Sequence, residues 1–355
     1  MRVVTVIGNR PQFIKAAAVS GPLRERHEEL LIHTGQHYDD ELSTIFVEEL
    51  GIPRPEIELG IGGGSNTEQT GRMLEALGPL LASEAPDAIL VYGDTNSTLA
   101  GALAGAQAQV PVAHVEAGMR SGDRTMPEEL NRILTDHASD LLLCPSQVAV
   151  ENLAIEGLGS RAELVGDVMV DVAELIRPRA AKDSVPLEEA GVKRGEYVLA
   201  TAHRAANVDD PQRLARLVAL LVAVPETVVL PLHPRTRARL EEAGLLAELE
   251  AGGVKLLPPL GYPAFTALLL GAKAVLTDSG GVQKEAYLAG IPCVTMRDTT
   301  EGVETVDLGW NHLVDLDAEK ALAALKEEPS GARPAVYGDG RAGHHVVEAI
   351  GQLDG

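Results

Sequence analysis

Short runs rich in Val, Ile and Leu recur along the chain, each separated from the next by a longer segment with helical spacing. The first series is RVVTVIG (2–8), ELLIHTG (29–35), AILVYGD (88–94), VPVAHVE (110–116), DLLLCPS (140–146) and AELVGD (162–167). Apolar residues at consecutive rather than alternate positions bury both faces of a strand, which a parallel sheet covered by helices provides. Intervening segments such as TEQTGRMLEALGPLLASEA read as those helices. From about residue 196 the rhythm restarts with YVLATAHR, TVVLPLHP, VKLLPPL, AKAVLTDSGG and IPCVTM. Two such series predict an α/β chain with two doubly wound domains, and 355 residues exceed one ordinary core. The charged, proline-containing stretch 177–195 is the expected boundary region.

Composition narrows the partners. A net charge of −22 disfavours nucleic acid and anionic membrane, yet leaves room for a small anionic ligand in a locally basic pocket. No apolar run approaches the ~18 residues that span a bilayer. VVTVIG is too short for a signal-peptide core and is followed at once by NRP, so a cytoplasmic protein is expected. Cys144 and Cys293 end apolar runs, as buried thiols do.

The strand ends carry the chemistry. Open α/β sheets bind ligands at the carboxyl ends of their strands. Here those ends read GNRPQFIK, TGQHYD, YGDTNST, HVEAGMR, TAHRAAN, PLHPRT and TDSGGVQKE. A turn and a helix cap would suffice for structure, so this density of charged and hydrogen-bonding groups points to a shared cleft. In TDSGGVQKEA, Ser279, Gly280 and Gly281 form a strand-to-helix turn whose first N–H groups suit phosphate oxygens. A plain helix start with Ser as its cap is the alternative, but a double glycine is more than a cap needs. Glu285, farther along that helix, is placed to accept from ribose hydroxyls. In GNRPQFIK, Arg10 and Lys15 flank a helix start and suit a diphosphate; a solvated basic turn explains them equally well.

Other site types fail on context. GLGSRA (157–162) matches a dinucleotide pattern but follows a helix and precedes a strand, the reverse of the required order. His33 and His37 are four apart across a glycine at a strand end, a poor metal pair, and no metal or redox motif is present. His344 and His345 read as surface or packing residues. What remains is Asp94, Glu116, Glu128 and His203 beside the phosphate binders. Asp94 alone suits a helix cap, since DTNST begins a helix well. Three acids from adjacent segments favour acid–base chemistry.

Taken together, the blocks GNRPQFIK, TGQHYDD, YGDTNSTLAGALA, HVEAGMRSGDRTMPEELNRILTDHASDLL, GDVMVDV, TAHRAANVDD, PLHPRT, TDSGGVQKEAYLAGIPCVTMRDTTE and ETVDLGWN resemble the non-hydrolysing UDP-N-acetylglucosamine 2-epimerases, in family order across roughly residues 3 to 315. The resemblance implies a glycosyltransferase-B-like fold of two Rossmann-like domains with the active site in the interdomain cleft. It implies an N-terminal domain of residues 1–168 joined by a C-terminal helix at about 341–355, a UDP-binding domain of residues 169–340, and a homodimer. The implied reaction interconverts UDP-GlcNAc and UDP-ManNAc without a cofactor, by elimination of UDP to 2-acetamidoglucal and re-addition. Asp94, Glu116 and Glu128 match the family's catalytic carboxylates, and His203 its histidine near the diphosphate. Arg10, Lys15, Ser279, Gly280, Gly281 and Glu285 match nucleotide contacts. Arg120 and Arg132 are expected to orient Glu116 and Glu128, with Arg132 also a substrate contact and Asp123 and Glu129 structural.

Departures bear on the substrate. The family's HRxEN segment reads HRAAN here, with Ala206 in place of the acid. After RDTTE stand Gly302 and Val303 rather than Arg or Trp and then Pro. A UDP-diacetamido-uronate or a 6-deoxy sugar is therefore an alternative substrate; a glycosyltransferase and a silent UDP-sugar binder are further ones. Asp39 in QHYDDEL replaces a glutamine that serves activation by substrate in bacterial members, so no strong activation is expected.

Overall fold

The computed structural model describes residues 1–36, 53–329 and 331–354. His37 and Asp39, and with them the expectation about activation, lie outside the described residues. Contacts divide the chain into two units, Met1–Glu174 with Ala335–Gly355, and Leu175–Pro334. The first cut falls within a helix, Val168–Ala180.

The first unit is built on seven parallel strands: β1 (Arg2–Ile7), β2 (Glu28–His33), β3 (Ile57–Glu58), β4 (Ala88–Tyr92), β5 (Val112–Val115), β6 (Leu141–Cys144) and β7 (Ala162–Leu164). Their order is β3-β2-β1-β4-β5-β6-β7. The second unit holds six: β8 (Tyr197–Thr201), β9 (Thr227–Pro231), β10 (Lys255–Leu257), β11 (Ala274–Thr277), β12 (Cys293–Thr295) and β13 (Asn311–Leu313), ordered β10-β9-β8-β11-β12-β13. Each sheet grows one way from its first strand and then the other. The reversal leaves a crevice at β1/β4 in the first sheet and at β8/β11 in the second, the places where doubly wound folds take ligands. The central strands are buried on both faces, as their unbroken apolar runs require.

In the first unit, the core joins Val4, Val6, Ile89 and Val91 of the sheet to Met73, Leu77 and Leu81 on one side of the Asn66–Glu84 helix. Ser65 and Glu68 start that helix with a reciprocal capping box. The C-terminal Ala342–Ile350 helix packs on the Arg10–Arg26 helix within the same unit. A Cβ at Gly343 would lie 2.0 Å from the Ala18 carbonyl oxygen, so glycine sets how closely the two helices approach. Val346, Val347 and Ile350 are buried there, each contributing about 1.5–3 kcal/mol. Among the described residues no helix is long and apolar enough to cross a membrane.

Cys144 and Cys293 are buried free thiols. Burial pushes each up to about 12, with Asp136 adding to the effect at Cys144 and a Thr295 contact opposing it at Cys293.

Candidate active site

In the first unit, chain reversals at the carboxyl ends of β1, β4 and β5 bring the polar groups together. Asn9 caps the Arg10–Arg26 helix, accepting from the Gln12 N–H at 3.2 Å, with Pro11 in the first turn. Gln12 then ties two strand ends: its Nε2 donates to the Tyr92 carbonyl at 2.7 Å, and its Oε1 accepts from the Gly8 N–H at 2.7 Å. Beyond β4, Gly93 adopts φ +66°. A Cβ there would stand 3.1 Å from Lys15 Nζ and 3.3 Å from Glu116 Oε2, so glycine serves both the left-handed turn and the close approach of these side chains.

Glu116, directly after β5, is itself left-handed at φ +67° and buried. For a residue with a Cβ that conformation costs about 1–2 kcal/mol, the kind of local strain that concentrates at functional sites. Its carboxylate forms an ion pair with Lys15. Asp94 does not cap the next helix. Thr95 does, accepting from Thr98 N–H, and Asp94 is paired with Arg132 Nη1 at 2.5 Å. Arg132 is buried on the Pro127–Ala138 helix and also meets Glu129 at 2.9 Å.

Glu129 is a brace. It accepts from the Ser121 and Gly122 N–H groups and the Ser121 hydroxyl at 2.9–3.1 Å. Burial raises its carboxyl, but these donors and Arg132 outweigh burial and hold it below the ordinary value. Asp123 closes a local turn by accepting from the Thr125 N–H and hydroxyl.

Arg120 departs from expectation. It makes a two-pronged pair with Glu156 at 2.7 and 2.8 Å and meets Asp136 at 2.8 Å, so it anchors the loop instead of orienting Glu116 or Glu128. Glu128 lies exposed in the first turn of the Pro127–Ala138 helix, one turn before Arg132. The first unit thus gathers Lys15, Glu116, Asp94 and Arg132, with Glu128 at the helix start. The Arg10 side chain lies outside the described residues.

In the second unit, the ends of β8 and β11 are joined by buried Asp278. Its carboxylate accepts from the N–H groups of His203 (3.1 and 3.2 Å) and Arg204 (3.0 Å) and from Asn207 Nδ2 at 3.2 Å. The His203 ring, 41% exposed, keeps Nδ1 3.6 Å from Asp278 Oδ1. The following helix, Gly280–Ala289, starts at Ser279, whose side chain makes no capping bond. Gly280, half-buried, and Gly281, exposed, occupy its first turn, the part of a helix whose N–H groups have no intrahelical partner. Glu285 is half-buried farther along. Behind the turn, buried Glu301 pairs with Arg297 at 2.9 and 3.0 Å. This unit brings His203 to the Ser279–Gly281 turn through Asp278, a residue in TDSGG that strand-end reading passed over. Among the described residues no group of three or more His, Cys, Asp or Glu side chains could hold a metal ion.

Two doubly wound parallel sheets, each with charged and hydrogen-bonding groups at its switch point, define a two-domain protein of the glycosyltransferase-B-like class. A family model described as UDP-N-acetylglucosamine 2-epimerase matches residues 23–351. The chain is 47% identical over 367 residues to UDP-2,3-diacetamido-2,3-dideoxy-D-glucuronate 2-epimerase of Pseudomonas aeruginosa, covering 99% of this chain and 100% of that protein. It is 46% identical over 357 residues to a UDP-N-acetylglucosamine 2-epimerase homolog of Methanococcus maripaludis, with 99% and 100% covered. The crystal structure of Methanocaldococcus jannaschii UDP-GlcNAc 2-epimerase in complex with UDP-GlcNAc and UDP matches with a TM-score of 0.93 at 38% identity, covering 99% of this chain and 100% of that one. The chain belongs to the UDP-N-acetylglucosamine 2-epimerase family.

Proposed function

We propose that this protein is a non-hydrolysing 2-epimerase that interconverts UDP-GlcNAc and UDP-ManNAc. The observation that carries the reading is the pair of carboxylate–cation contacts, Asp94 with Arg132 and Glu116 with Lys15, at the ends of the adjacent strands β4 and β5. Family membership and the glycine-rich helix start at Ser279–Gly281, which has no side-chain cap, support it.

The substrate's C2–H has no neighbouring carbonyl to acidify it. Breaking the C1–O bond leaves both electrons on UDP and an oxocarbenium-like centre at C1, which makes the C2 proton removable. A carboxylate takes that proton, giving 2-acetamidoglucal. A proton delivered to the opposite face of C2 and re-formation of the C1–O bond complete epimerisation. Two faces need two acid–base groups, and Asp94, Glu116 and Glu128 are the candidates. Lys15, Arg10 and Arg132 supply positive charge, while His203, Ser279, Gly280, Gly281 and Glu285 receive the nucleotide. Positive charge and hydrogen-bond donors directed at the leaving group are what a departing diphosphate requires.

A second reading, a UDP-diacetamido-uronate as substrate, is favoured by the 47% identity to the Pseudomonas enzyme over nearly the whole chain. Ala206 and Gly302, which lack the family's side chains, are departures that bear on which sugar is taken. Proton NMR of the protein with each UDP-sugar separates the two readings. Formation of UDP-ManNAc from UDP-GlcNAc supports the first. Turnover of the diacetamido-uronate alone selects the second, and turnover of neither overturns both.

A further inference from the structure

His114 stands in the otherwise apolar strand β5 and is fully buried. A neutral imidazole offers one N–H and one lone pair. Here both ring nitrogens face acceptors. Nε2 lies 2.7 Å from the Gly93 carbonyl oxygen, which can only accept, and Nδ1 lies 2.7 Å from Asp136 Oδ1. The other oxygen of Asp136 receives the Gly118 N–H at 3.1 Å and Arg120 Nη1 at 2.8 Å. That oxygen already takes two donors, one of them a guanidinium, and an adjacent cation favours the ionised carboxylate. An ionised Asp136 and a carbonyl both require donors. A ring with one bare nitrogen would leave a buried group unsatisfied, at a cost of about 1–3 kcal/mol.

The groups held by this arrangement flank the candidate acids. The Gly93 carbonyl belongs to the peptide that joins Gly93 to Asp94, and the Gly93 N–H bonds to the Val115 carbonyl at 2.9 Å. The turn carrying Asp94 is thus tied to β5 on both sides, next to Glu116. Asp136 secures the backbone two residues beyond Glu116, at Gly118.

We propose that His114 is a doubly protonated positioning residue that, with Asp136, clamps the Asp94 turn and the Glu116 loop in mutual register. It touches no reacting atom. The kinetic part of this inference rests on the epimerase reading; the protonation part does not.

The test uses the intact protein labelled with ¹⁵N-histidine, observed at about pH 7.5, above the ordinary histidine value. The resonance that disappears in His114→Gln is expected to show a proton on each ring nitrogen, and one bare nitrogen in the wild type overturns the proposal. In kinetics, His114→Gln is expected to lower kcat roughly 10- to 100-fold while KM and the Kd for UDP stay within about threefold, the pattern of misplaced acid–base groups. Unchanged kcat, or an equal loss of UDP affinity, contradicts it. Asp136→Asn removes the counter-charge and is expected to leave one ring nitrogen bare. Should the wild type turn over no UDP-sugar, the epimerase reading fails, and the nitrogen spectrum alone decides the clamp.

Discussion

The two units share one architecture and spend their switch points differently. At β1/β4 the first unit gathers opposite charges into pairs, with Glu116 and Arg132 buried and Glu116 in a left-handed conformation. At β8/β11 the second unit turns its carboxylate inward, using Asp278 to hold backbone N–H groups, and leaves the His203 ring part-exposed and Gly281 exposed. Closely paired charges suit proton transfer, because each partner sets the ionisation of the other. Open N–H groups at a helix start suit a phosphate that arrives already charged. The contrast teaches that fold dictates where a site forms, while local side-chain pairing dictates what it does.

That contrast predicts separable failures. Glu116→Gln should lower kcat by about 10²–10⁴-fold with little change in UDP affinity, the usual range for a lost acid–base group; steady-state rates and calorimetric UDP binding check both. A comparable loss of UDP affinity would erase the division of labour.

Arg132→Met strands the buried Glu129 carboxylate and deprives Asp94 of its partner. The expected loss is about 3 kcal/mol of stability, measured by urea unfolding, since breaking a buried pair leaves a charge uncompensated. Gly280→Ala should act on binding alone. The added Cβ would lie 3.2 Å from Glu301 Oε2 and crowd the helix start. The expected result is a roughly tenfold higher KM, about 1.4 kcal/mol, with kcat nearly unchanged.

The smallest effect concerns pH. Glu129 is held below its ordinary value when folded. Its contribution to stability is therefore present above the unfolded carboxylate value, about 4.3, and is lost as pH falls through the folded value. Thermal unfolding from about pH 7 to 3.5 should show a shallower acid slope in Glu129→Gln than in the wild type.

Much of this was legible in the chain. The long apolar runs appear as strands within a few residues of the expected limits, because burial on both faces leaves an unmistakable pattern. Strands β3, of two residues, and β13, reading NHL, were not foreseen. Pairs so short or so polar carry no periodicity. The strand-end polar groups did mark the switch points. Their partners were harder to read, because pairing depends on where loops turn. Arg120 lies in the same loop as Glu116 yet reaches Glu156 across 36 positions of sequence. Asp94 suited a helix cap by spacing, but Thr95 takes that place and frees Asp94 for Arg132. The sign of His114 was present: a histidine inside an apolar strand must find partners for both nitrogens. Only the fold shows that these are Asp136 and the Gly93 carbonyl.

The most direct test of the central claim, that first-unit carboxylates move the C2 proton, is proton NMR in D₂O with the sugar that turns over. The wild type should place deuterium at C2 of both epimers as they interconvert, and Glu116→Gln should slow interconversion by orders of magnitude while still binding UDP. Epimerisation that keeps the original C2 proton, or undiminished exchange in the variant, would contradict the account.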